Sequence, residues 1–269
     1  MKAFIFAAGL GTRLKPLTDT LPKALVQVCG KPLIEHIARR LMSFGIEEAV
    51  VNVHHFADSI EEWISRQDWI SSSDGDSRPG TMRMQVSDER RLLLETGGAV
   101  LHARRYLEGC GQFLVHNVDI LSDCDLGSFV SNVRPDALAT LLVSSRESSR
   151  YLLFDPGTMK LKGWTNVRTG EMRLAGPHVD PDSCLKLAFS GIHVMSDQIL
   201  DVMDRYASSH GMYIASDTPR FPVMDFYLDM CHLYNIYGVQ MDGVRIVDVG
   251  KTDTLAAAES MAESIGYDK

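Results

Sequence analysis

Short apolar runs rich in β-branched and aromatic residues alternate along this chain with longer stretches of helical period, a pattern that commits it to strand-helix-strand units around a mostly parallel sheet. The first run, Ala3 to Ala7, leads into a glycine-rich loop. A stretch from Pro32 to Phe44 follows, with Leu33, Ile37, Leu41 and Phe44 recurring on one helical face. Pro32 suits a first helical turn, where its missing amide hydrogen costs nothing. Ala49 to Val53 reads as the second strand, and Ala57 to Ile64 as an amphipathic helix with Ile60, Trp63 and Ile64 inward. The polar stretch Ser71 to Gly80 predicts a loop. Met82, Met84 and Val86 alternate as in a half-buried strand, a helix opens near Gly98, and Phe113 to His116 forms the next buried strand.

The remainder is richer in strands: Ala137 to Val143, Leu152 to Asp155, Lys160 to Trp164 and Lys186 to Met195. Helices over Gln198 to Tyr206 and Val223 to Tyr234 precede a strand at Val244 to Val247, and a last helix spans Asp253 to Ile265. No internal repeat and no Pro- or Gly-rich linker divides the chain. The expected fold is α/β, a Rossmann-like layered arrangement in one domain over residues 1–269.

Composition narrows the function. A net charge of −8 argues against nucleic-acid binding, because phosphate backbones are met by a basic face. The apolar stretch at the N-terminus is shorter than a signal-peptide core, and no segment approaches a membrane span, so no membrane association is expected. Five cysteines, odd in number and never in a Cys-x-x-Cys pair, read as reduced thiols of a cytoplasmic protein.

The chemistry concentrates after the first strand, in Gly9-Leu10-Gly11-Thr12-Arg13, then Pro16, Thr18 and Pro22-Lys23. Glycines let a backbone approach a polyphosphate and aim amide hydrogens at it, and Arg13 and Lys23 supply the cations that such a charge needs. Asn117-Val118-Asp119 ends the Phe113 to His116 strand, at the edge where open parallel sheets place ligand-binding groups. A dinucleotide-dependent oxidoreductase would also use Gly9 and Gly11, but Leu14 stands where its third glycine belongs.

The whole string resembles the signature of the sugar-1-phosphate nucleotidyltransferases, Gly-x-Gly-Thr-Arg followed by Pro, Thr and Pro-Lys at these intervals, with every fixed position filled. The likeness runs along nearly the whole chain and is best to the N-acetylmuramate 1-phosphate uridylyltransferases, whose product serves the cell envelope. It implies a single domain of the nucleotide-diphospho-sugar transferase type. Residues 1–120 would form its nucleotide-binding half and residues 121–269 its acceptor half. It further implies a nucleoside triphosphate and a sugar 1-phosphate as partners, and Mg²⁺ as cofactor. By resemblance Ala8, Gly9, Gly11, Thr12, Arg13 and Lys23 wrap the triphosphate, and Glu95, Thr96 and Gly97 lie beside the base, with Gly97 and Gly98 leaving room for its ring. Asp119 and Asp248 match the family's metal-binding aspartates, although Val118 stands where the family usually has glycine. Asn117, Ser190 and Gly191 fall at the sugar pocket, and Arg13, Lys23 and Asp119 become the catalytic set.

Many hexose-specific members carry a Glu-Lys-Pro segment that contacts the sugar phosphate, and none is present here. Lys160, Lys162, Arg168 and Lys186 could replace it but read more simply as solvated charges. A guanylyl- or cytidylyltransferase, or a catalytically silent regulatory subunit of the same fold, would share most of these features. His54 and His55 should point to opposite sides of an extended chain, and Asp225 reads as a first-turn carboxylate of a helix.

Overall fold

The computed structural model describes residues 1–71, 80–215, 218–250 and 252–265. The central sheet has eleven strands among these residues. They are β1 (Lys2–Phe6), β2 (Glu48–Val53), β3 (Ile70–Ser71), β4 (Met82–Asp88), β5 (Gln112–Asn117), β6 (Ala139–Ser144), β7 (Arg150–Phe154), β8 (Leu161–Asn166), β9 (Met172–Leu174), β10 (Leu185–Ser196) and β11 (Ile236–Gln240). The spatial order is β9-β8-β7-β10-β5-β1-β2-β4-β3, with β6 also on β10 and β11 on β6.

Strands β5, β1, β2, β4 and β3 are parallel neighbours, so their carboxyl ends share one edge. The twelve-residue β10 runs antiparallel to β5 and joins this parallel half to a mixed remainder, in which β11 lies parallel to β6 and the other pairs are antiparallel. Helices α1 (Leu33–Ser43), α2 (Ala57–Ser65), α3 (Glu95–His102), α4 (Ile199–Ser209), α5 (Val223–Met230) and α6 (Leu255–Ile265) cover the sheet. In β1, Ala3 and Ile5 enter the core beneath α1, α2 and α6, whereas Phe4 enters the one beneath α3, α4 and α5. That alternation is why the strand reads as a continuous apolar run: both faces are buried.

Every strand expected from the sequence is present within one to three residues of its expected bounds, and β3, β9 and β11 are additions to the central sheet. Only Cys231 to Asn235, without a Gly or Pro, separate Ile236 to Gln240 from the preceding helix, which stops at Met230 rather than Tyr234. Phe44, expected inward, is 36% exposed at the end of α1, where the Arg40 guanidinium lies over its ring. Trp63 is partly buried and meets Trp69 edge-on. Most of the polar stretch after Ser71 lies outside the described residues. No helix among the described residues is long and apolar enough to cross a membrane.

Candidate active site

The parallel edge carries a cleft of about 600 Å³, walled by the loop after β1, the end of β2, the start of α3, the end of β5, and Pro222 and Gly250. Phe6, Ala8, Gly9, Leu10, Gly11, Thr12 and Arg13 line one side of it. Gly11 has a φ of +63°, and a Cβ there would lie 2.8 Å from Thr18 Cγ2. The Thr18 hydroxyl and the Leu14 amide both donate to the Gly11 carbonyl at 2.8 Å, and Leu14 is fully buried. The loop is thus pinned from behind while its front faces the cleft.

Lys23 opens a short turn in which Leu25 N donates to Pro22 O and Val26 N to Lys23 O. Only 7% exposed, it makes an ion pair with Asp119. Asp119 sits in the turn after β5, and its carbonyl accepts from Val249 N at 2.8 Å. The short strand Ile246–Asp248 pairs there with Ile120–Ser122, Asp248 opposite Ile120. This register brings the main chains at Asp119 and Asp248 together from positions far apart in the chain. Gly250 completes the corner: a Cβ on it would lie 2.6 Å from Asp248 Oδ1 and 2.7 Å from an Arg13 guanidinium nitrogen. The corner therefore holds the Lys23–Asp119 pair, with Asp248 and Arg13 both crowding Gly250. Gly250→Ala is expected to displace Arg13 and Asp248 together and to lower turnover by at least tenfold with little change in melting temperature; unchanged kinetics would show that the corner is not used.

No group of three or more His, Cys, Asp and Glu side chains among the described residues could hold a metal. A magnesium ion takes one or two protein carboxylates and leaves its other positions to waters and phosphates. The Asp119 and Asp248 pair fits that need, and the chemistry of a hard oxygen donor set agrees.

At the opposite wall Glu95, a non-glycine residue with φ of +61°, pairs with Arg220 at 3.4 Å. Thr96 Oγ1 accepts from Val223 N at 2.9 Å and so caps α5. Both side chains line the cleft. Gly97 and Gly98 correct an expectation. Their amides donate to the Phe221 carbonyl at 2.8 and 3.1 Å, and a Cβ on Gly97 would lie 2.3 Å from the Phe221 ring. A Cβ on Gly98 would lie 2.4 Å from Pro219 O. The space that the glycines leave is filled by the segment Pro219 to Phe221, and Gly97 stands behind the wall. The helix α3 begins at Glu95, three residues before the start near Gly98 expected from the sequence, and runs through both glycines.

Asn117 lines the cleft, and Gly191, with φ of +80°, packs against it: a Cβ there would lie 2.8 Å from Asn117 Nδ2. Ser190 is separated from them in role. Its buried hydroxyl donates to Leu142 O at 2.9 Å and accepts from Ile192 N at 3.3 Å, bridging the irregularity where the β10 and β6 register shifts. Val118, 3% exposed, lines the cleft where a glycine would open it.

The structure adds residues that the sequence reading passed over. Asn52 lines the cleft and accepts from the Ala7 amide at 2.8 Å; its signal is an amide side chain inside the apolar run Ala49 to Val53. Glu89, 3% exposed, stands behind it, and no pattern marks it. His54 and His55 diverge as expected, His54 donating to Glu89 O and His55 lying against Phe56. Asp225, in the first turn of α5, accepts from Arg173 at 2.7 Å. Lys160, Lys162, Arg168 and Lys186 do not line the cleft.

Residues 2–158 match the family model described as nucleotidyl transferase. The chain belongs to this family and is a nucleotidyltransferase by fold, cleft and sequence. It is 34% identical over 201 residues to the N-acetylmuramate alpha-1-phosphate uridylyltransferase of Caulobacter vibrioides, spanning 73% of this chain and 76% of that one. Over 123 residues it is 32% identical to the mannose-1-phosphate guanylyltransferase catalytic subunit beta of Xenopus tropicalis, covering 46% of this chain and 32% of that protein. Among solved structures, HddC from Yersinia pseudotuberculosis superposes with a TM-score of 0.68 at 20% identity, covering 96% and 98% of the two chains, which shows the shared fold.

Proposed function

We propose that this enzyme transfers the uridylyl group of UTP to a sugar 1-phosphate, with N-acetylmuramate 1-phosphate as acceptor, and releases pyrophosphate. The observation that carries the reading is the corner where Lys23 and Arg13 stand beside Asp119 and Asp248, next to the glycine loop. The similarity to the Caulobacter vibrioides uridylyltransferase supports the choice of base and sugar.

Both reacting phosphates are ionised at neutral pH, so the protein's work is positioning and charge neutralisation rather than proton abstraction. A phosphate oxygen of the acceptor attacks the α-phosphorus in line, a new P–O bond forms, and the bond to pyrophosphate breaks with its electron pair leaving on the pyrophosphate oxygen. Backbone amides of Ala8, Gly9, Gly11 and Thr12 receive the triphosphate, Arg13 meets its outer phosphates, and Lys23 turns from Asp119 to the α-phosphate. Glu95 and Thr96 border the base. Asp119 and Asp248 would hold Mg²⁺, which when bound screens the repulsion between the two anionic substrates.

Asn117 and Gly191 border the sugar, and Ser190 keeps β10 bent so that they meet. Residues 1–120 then supply most of the nucleotide site and residues 121–269 most of the acceptor side, with Asn117 serving the sugar and Gly250 the nucleotide cleft. A second hollow of about 480 Å³, lined by Arg146, Arg150, Trp164 and Phe189, supports placing the acceptor on that side. His193 stands between the two spaces, stacked on Phe6 and edge-on to Phe189. The reading fits a reaction in the cytoplasm.

Crossing four nucleoside triphosphates with a panel of sugar 1-phosphates in the presence of Mg²⁺ tests it by pyrophosphate release. Release is expected only when nucleotide and acceptor are both present, and fastest with UTP and N-acetylmuramate 1-phosphate. A preference for GTP with mannose 1-phosphate would move the enzyme to the guanylyltransferases, and no release with any pair would leave a silent relative.

A further inference from the structure

We propose that Glu89 is a positioning residue of the cleft: its buried carboxylate orients Asn52 and thereby ties the glycine loop to the wall formed by Glu95 and Thr96. The inference rests on reading the cleft as a nucleotide site and assigns a role to a residue that does not itself line it.

Glu89 Oε1 accepts from Asn52 Nδ2 at 2.8 Å, and Glu89 Oε2 accepts from Leu94 N at 3.2 Å. Asn52 Oδ1 in turn accepts from Ala7 N at 2.8 Å, the amide that opens the glycine loop. One carboxylate thus reaches the loop after β1 through Asn52, and the start of α3 directly. Its own main chain is held by Glu89 N donating to Val53 O at 2.8 Å and by Leu92 N donating to Glu89 O at 3.0 Å. The clamp is anchored before any ligand arrives.

Both oxygens of Glu89 face N–H donors, a task that only the carboxylate performs. A protonated acid has one oxygen that must donate, and neither Asn52 Nδ2 nor Leu94 N can accept. If the Asn52 amide flips to accept that proton, its Nδ2 faces the Ala7 amide, donor against donor, and the loop contact is lost. A glutamine at position 89 meets the same conflict. A carboxylic acid therefore loosens one wall or the other, and ionisation restores both.

Burial pushes the Glu89 carboxyl up to about 7, against the pull of the hydrogen bonds from Asn52 and Leu94, and the Asp88 charge acts in the same direction. Other charged groups nearby are largely paired: Asp88, Asp58 and Glu61 with Arg90, and Glu95 with Arg220. His54 sits on the Glu89 carbonyl. The clamp is formed above about pH 7 and opens below it.

The test begins with calorimetric dissociation constants of the wild type for ATP, CTP, GTP and UTP at pH 8. The nucleotide sugar of the tightest binder is then titrated between pH 6 and 8, where its diphosphate diester carries constant charge. If only the ionised form is competent, one pH unit below the transition leaves roughly a tenth of the protein competent, so wild-type affinity should fall about tenfold toward pH 6. Glu89→Gln should melt near the wild type, bind roughly tenfold more weakly at pH 8, and lose the pH dependence. Wild-type affinity and an unchanged pH curve in a folded Glu89→Gln protein would overturn the inference. So would loss of stability alone with nucleotide affinity intact. If that variant does not fold, the wild-type curve decides, and a flat one overturns the proposal. Failure of the wild type to bind any nucleotide would instead remove the reading of the cleft, and the role of Glu89 with it.

Discussion

Lys23→Ala is expected to fold as the parent does and to lose turnover by roughly two to three orders of magnitude, the scale set by removing one preorganised electrostatic partner from a reacting centre. The side chain is 7% exposed, and its ammonium is held against Asp119 before substrate binds. The cation therefore already stands in the cleft when substrate arrives and has only to exchange the Asp119 carboxylate for the α-phosphate. The substitution also has a second, opposite consequence. It leaves the Asp119 carboxylate without its cation, so a divalent ion should bind the nucleotide-free variant more tightly than it binds the wild type. Steady-state kinetics and a metal titration on the same preparation read both effects. A variant with near-wild-type turnover would make Lys23 a partner of Asp119 and nothing more.

How far the sequence reveals this site depends on whether a residue's role lies in its own segment. Gly11, Arg13 and Lys23 occupy one loop after one strand, and the reason for each is local: a left-handed turn and two cations at fixed spacing. Asp119 and Asp248 announce themselves as acids at strand ends, but only the pairing of Ile246–Asp248 with Ile120–Ser122 brings them together. Residues whose role is set by a distant partner are misread or unseen. Gly97 and Gly98 look like room for a ligand because glycine is small, whereas a segment more than a hundred positions away takes up the space. Ser190 looks like a pocket hydroxyl, yet its proton serves the Leu142 carbonyl. Glu89 looks like a surface acid among Asp88, Arg90 and Arg91, and becomes buried only because Asn52 and Leu94 close over it. The fold follows the same division. Alternating apolar runs fix the central strands, whose faces are buried by neighbouring helices, while β9, at one end of the sheet, is three residues long and has none of them buried.

Asp119→Asn and Asp248→Asn are expected each to remove most magnesium-dependent turnover, by on the order of a hundredfold or more, because a hard cation held by so few protein oxygens loses much of its site with either one. Each change also releases a cation in the nucleotide-free protein: Lys23 from its partner Asp119, and Arg13 from the carboxylate across Gly250. Nucleotide binding measured without metal should therefore hold or strengthen in the asparagine variants while turnover collapses. This pattern separates them from Lys23→Ala, where metal-free nucleotide binding should weaken and metal binding should improve. Opposite signs for the two halves of one ion pair are what an exchange of partners requires, the cations moving to phosphate and the carboxylates to metal when substrate enters. A simple structural pair would give the same sign for both, a loss of stability with little change in either affinity. If both asparagine variants keep magnesium-dependent turnover within a few-fold of the wild type, the corner is not the catalytic centre, and the metal that turnover needs is held elsewhere.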